Sequence, residues 1–124
     1  MTTQPPNQPI DHVSVGTSLE FQRNIRTLKK RYRNIGKDIR PTLEQIQAGQ
    51  LPGDQITGTS FVVYKVRARN RDIQKGKSAG YRIIYQVKSR DSIMLIAIYS
   101  KSDRAGMSIQ AIKKIIAEIS KADD

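Results

Sequence analysis

The sequence predicts an α+β domain: an N-terminal helix hairpin packed on a small antiparallel sheet of about four strands, followed by a C-terminal helix. Three patterns carry this. Between Leu19 and Ile46, apolar residues recur at helical spacing with one interruption near Gly36, as in two amphipathic helices joined by a turn. Between Phe61 and Tyr99 the spacing falls to two, or the run is apolar throughout, as in strands. Between Ile109 and Ile119 an isoleucine stripe returns to helical spacing.

Each element has local support. His12 to Val15 alternates briefly and ends at Gly16, as a short strand at a sheet edge would. Thr17 or Ser18 is placed to cap the first helix, whose apolar side is Leu19, Phe21, Ile25, Leu28 and Tyr32. Its other side carries Arg23, Arg26, Lys29, Lys30, Arg31 and Arg33, which we read mainly as a solvated basic face. Asp38 is placed to cap the second helix, which would put Pro41 in its first turn, and Gly49 to stop it. Residues 49–60, with three glycines and a proline, read as a loop.

The strand from Phe61 to Arg69 sets Lys65, Arg67 and Arg69 on one face against Tyr64, Val66 and Ala68 on the other. After a polar, basic loop, Tyr81, Ile83, Tyr85 and Val87 alternate with Arg82, Ile84, Gln86 and Lys88. The turn around Ser89–Asp91 leads into Ile93–Tyr99, apolar on both sides as in a central strand. Ser108 then caps the last helix.

Composition narrows the function. The chain has 124 residues, one domain by length, and a formal net charge of +11. We divide it into a disordered arm over 1–11, rich in proline, and a single domain over 12–124. Cysteine is absent and His12 is the single histidine, so thiolate chemistry, disulfides and zinc sites built on Cys or His clusters are excluded. Carboxylates are scattered, and no cofactor or metal is expected. No apolar run approaches a membrane span, and no signal-like segment opens the chain, so a cytoplasmic protein is expected. Lys75-Gly-Lys-Ser78 echoes the end of a phosphate-binding loop but lacks the preceding glycine and the following helix.

What remains is positive charge. Eleven Lys or Arg fall between positions 65 and 104, opposed by Asp72, Asp91 and Asp103. Such a surface suits nucleic acid. Lys65, Arg67 and Arg69 share one strand face and Arg82 lies on a neighbouring strand, while Lys101 and Arg104 follow the last strand. Cations so placed can hold phosphates and stabilise charge developing at phosphorus. Tyr81, Tyr85 and Tyr99 carry rings on which a base could stack, although Tyr81 and Tyr85 are better read as core.

The segments K-S-A-G-Y-R-I-I-Y-Q-V, I-M-L-I-A-I-Y-S-K-S-D-R and S-I-Q-A-I-K-K-I-I resemble RelE/ParE-superfamily toxins of bacterial type II toxin–antitoxin systems. So do V-Y-K-V-R and the opening helix F-Q-R-N-I-R-T-L-K-K-R-Y. The resemblance spans about residues 12–120 and rests on the order of elements and charged positions together. It implies a RelE-like fold and, for RelE-like members, metal-independent cleavage of mRNA in the A site of the small ribosomal subunit. In that reaction a ribose 2′-oxygen attacks the adjacent phosphate. By position it implies Lys65, Arg67 and Arg69 as the basic strand, Arg82 as the arginine at the scissile phosphate, and Lys101 and Arg104 as the basic segment after the last strand; we take Lys65, Arg67 and Arg82 as candidate catalytic residues, and Arg69, Arg71, Lys75, Lys77, Tyr99, Lys101 and Arg104 as candidate RNA contacts. It also implies an antitoxin partner, acidic or DNA-binding, able to form a hetero-oligomer with this chain. Two positions depart from RelE: Ser102 stands where RelE has an arginine, and Met107–Ser108 where it has a tyrosine. A general base would then be Lys65, Arg67 or Tyr99. A ParE-like gyrase poison on the same fold and a non-enzymatic RNA-binding module are the alternatives.

Overall fold

The computed structural model describes residues 13–73 and 79–123. The predicted arm, His12 and the loop cations Lys75 and Lys77 lie outside the described residues. In chain order the elements are β1 (Ser14–Thr17), α1 (Leu19–Arg31), α2 (Ile35–Gln47), β2 (Asp54–Ile56), β3 (Val63–Ala68), β4 (Tyr81–Ser89), β5 (Ser92–Ser100) and α3 (Ile109–Asp123). One sheet contains all the strands, in the order β1-β5-β4-β3-β2. The α+β class is as expected, but the sheet is five-stranded and mixed. β1 runs parallel to β5, while every other pair is antiparallel. The added strand, β2, lies inside the glycine-rich segment read as loop. Three residues are too few for a period to register.

Ser18 opens α1. Its Oγ accepts from the Phe21 N–H at 2.9 Å and donates to the Ile96 carbonyl at 2.6 Å, so one hydroxyl both caps the helix and ties it to the sheet. The expected cap of α2 is corrected. The helix starts about one turn earlier than Asp38, after Asn34, and takes Gly36 into its first turn. Asn34 anchors through Asp72, donating its backbone N–H at 3.1 Å and its Nδ2 at 2.8 Å. Pro41 therefore falls inside the helix and not in its first turn. Asp38 is instead buried and takes the Arg71 backbone N–H at 2.9 Å and the Arg71 Nε at 2.6 Å. Gly49 ends the helix as expected. With φ at 88° it donates to Ile46, while Gln50 donates to Gln45, both at 3.0 Å, which satisfies the last carbonyls.

The sheet is covered on both sides. Phe21, Leu28, Tyr32, Ile35, Ile39 and Ile46 of the hairpin pack on Val66, Tyr81, Ile83, Tyr85, Leu95 and Ile98. Ile112 and Ile116 of α3 pack on Val63, Ile84, Ile96, Ala97 and Tyr99 on the opposite side. A bulge feeds that second core. Ile84 pairs with Ala97 and Tyr85 with Leu95, so Ile96 is the extra residue and joins Ala97 beneath α3. The apolar patch under α3 is built from Val63, Ile84 and the β5 residues. Lys65 and Arg67 lie on the same strand face beyond it, both exposed.

Candidate nucleic-acid interface

The register of the central strands puts Arg67 opposite Arg82, and Arg82 opposite Tyr99, in a row across β3, β4 and β5. Lys65 stands two residues from Arg67, on the same strand face and about 7 Å away along the strand. Two like charges paired directly across a ladder oppose folding. An anion bound between them would relieve that repulsion.

Arg82 is buried, with 5% of its surface exposed. Its Nη1 donates to the carbonyls of Gly80 and Tyr81, both at 3.3 Å. Burial pulls its guanidinium below the ordinary value and the Arg67 charge adds to this, while Tyr99 acts in the other direction. Few side chains carry a charge at this depth unless the site is organised around it.

Tyr99, 6% exposed, belongs to the core beneath α3. The Arg104 guanidinium lies 5.8 Å from its ring centre. Burial raises the Tyr99 phenol, and Arg82 and Arg104 draw it back. Its ring is thus a packed spacer between two cations.

The segment after β5 is a built turn. The Asp103 and Arg104 N–H groups both donate to the Ser100 carbonyl, and Lys101 N–H donates to Gly80. The Lys101 Nζ donates to Ala105 at 2.7 Å and the Arg104 Nε to Gly106 at 2.8 Å. Asp103 pairs with Arg31 of α1 at 2.8 Å.

The fold therefore gathers Lys65, Arg67, Arg82, Tyr99 and Arg104. Arg69 follows the end of β3 and is exposed. Arg71 is not brought to the group, because its Nε is held by the buried Asp38 carboxylate beside α2. Tyr81 and Tyr85 are fully buried under the helix hairpin, as expected of core residues. Sequence reasoning missed Asp54, which β2 places opposite Lys65. The alternation of Asp54, Gln55 and Ile56 after Gly53 was the available signal, and it is only three residues long.

Among the described residues, no three His, Asp or Glu side chains gather as metal ligands, and no helix is long and apolar enough to cross a membrane. No protein-family model and no curated protein matches the chain.

Proposed function

We propose that this chain is the toxin of a type II toxin–antitoxin pair, a RelE-like ribonuclease that cuts mRNA on the cytoplasmic ribosome and so stops translation. One observation carries the reading: Arg67 faces Arg82 across β3 and β4, with Lys65 beside them, on the sheet face that also carries α3. In this reading the two guanidinium groups clamp the non-bridging oxygens of one phosphate and stabilise the charge that builds as phosphorus is attacked. Lys65 supplies a mobile proton and a third positive charge. Arg69, Lys101 and Arg104 extend the positive surface along the message strand, and a cognate antitoxin shields it. The chemistry asks no metal of the site, since guanidinium and ammonium groups meet the phosphate charge.

The test is to express the chain under a tight promoter and map the 5′ ends of cellular mRNA, beside Arg67→Ala and Arg82→Lys controls. Arg67 is exposed, so its truncation leaves the core intact. Cuts in phase with codons, lost in both controls, are the expected result. Intact mRNA with broken DNA would replace this reading with gyrase poisoning, and harmless expression would replace it with simple RNA binding.

A further inference from the structure

Asp54 is the first residue of β2 and stands directly opposite Lys65. Opposed residues of an antiparallel pair project to the same side, with Cβ atoms about 4.5–5.5 Å apart. Ile56, two residues on, is opposite Val63 and joins the core beneath α3. Asp54 therefore shares the sheet face of Lys65 and Arg67. It is exposed and takes part in no ion pair among the described residues.

Its position is held from two sides. Gly53 has φ at +95°, and a Cβ there would strike the Lys65 carbonyl and the Val66 Cα, so the chain passes flush against β3 immediately before Asp54. The Tyr85 hydroxyl donates to the Pro52 carbonyl at 2.6 Å, and its ring stacks on Tyr64 at 5.4 Å. A short edge strand is thereby locked in the register that sets a carboxylate beside the cations.

We propose that Asp54 is the general base of the ribonuclease reaction; the inference rests on that reading of the site. Arginine cannot accept a proton at neutral pH, and an ammonium group is a donor. Among the described charged residues of β2, β3 and β4 in this row, Asp54, Lys65, Arg67 and Arg82, the carboxylate is the acceptor. The ribose 2′-hydroxyl gives its proton to Asp54 as its oxygen bonds to phosphorus. The bond from phosphorus to the 5′-oxygen of the next nucleotide breaks with its electron pair, and that oxygen takes a proton from the Lys65 ammonium. The products are a 2′,3′-cyclic phosphate and a 5′-hydroxyl. Asp54 is left protonated and Lys65 neutral, and exchange with water resets both. Arg82 lies about 10 Å across the strands and about 7 Å along them from Asp54. In the proposal, a nucleotide bound across the row spans that distance.

The test uses the full chain and purified ribosomes carrying a short message, comparing wild type with Asp54→Asn and Asp54→Glu at saturating protein. Thermal unfolding of each variant checks the fold. Asp54→Asn is expected to slow cleavage by about 10²–10⁴-fold while holding RNA at least as tightly, and Asp54→Glu to restore part of the rate. Cleavage by Asp54→Asn at the wild-type rate, or a loss confined to KM, overturns the assignment and leaves the ribonuclease reading standing. A wild-type protein that cuts nothing overturns both.

Discussion

Arg67 and Arg82 occupy one cross-strand position of the β3–β4 ladder, so the sheet closes with two guanidinium groups facing each other. This pairing weakens the free protein, because like charges directly opposite cost up to about 1 kcal/mol. Arg67→Gln is therefore expected to raise the thermal midpoint by about 1–4 °C while weakening RNA binding. Inorganic phosphate should stabilise the wild type more than this variant. Thermal unfolding with and without phosphate checks both, and a variant no more stable than wild type would remove the repulsion argument.

The salt dependence of RNA binding separates Lys65 from Arg71. Lys65→Ala is expected to lower the slope of log K against log salt by about 1, the loss of one phosphate contact. Arg71→Ala should leave that slope unchanged and cost about 1–3 kcal/mol of stability, since it strips the buried Asp38 carboxylate of its cation. Binding titrations at several salt concentrations, beside urea unfolding, give both quantities.

Ser18→Ala should cost about 1–3 kcal/mol, more than an ordinary cap, because it leaves the Phe21 N–H and the Ile96 carbonyl without their hydroxyl partner. Urea denaturation measures the loss. An effect near zero would mean that water replaces the hydroxyl at no cost.

Two buried phenols set an alkaline limit to stability. Burial raises both Tyr81 and Tyr85 above the ordinary tyrosine value, with Asp38 adding to the first and Tyr64 to the second. The folded state thus holds its protons more tightly than the unfolded chain. The resulting stability is complete below about pH 10, where both states are protonated, and declines above it as the unfolded chain ionises. Tyrosinate absorbance of these two residues should rise together with unfolding and not before it. Tyr85→Phe should lessen the alkaline loss while giving up the bond to Pro52.

Much of this arrangement was legible in the sequence. The alternation around Lys65 and Arg67 showed a cationic face, and the apolar spacing of α1, α2 and α3 showed three helices. Register was not legible, because a period of two fixes faces and says nothing about which residue stands opposite which. The Arg67–Arg82 row needed the ladder. Asp38 resembled a helix cap by type and position, yet its buried carboxylate serves Arg71, a residue on another element. The parallel pairing of β1 left no trace either, since four residues alternate alike in both directions.

That pairing has a consequence for how the protein is made. β1 emerges from the ribosome first and lies beside β5, which emerges last among the strands, and Ser18 bonds Ile96 from 78 positions away. The sheet cannot close until β5 has been added. The strand rows that carry Arg67 and Arg82 reach their final spacing only after Tyr99 has been added, so a growing chain cannot grip a phosphate there before that point.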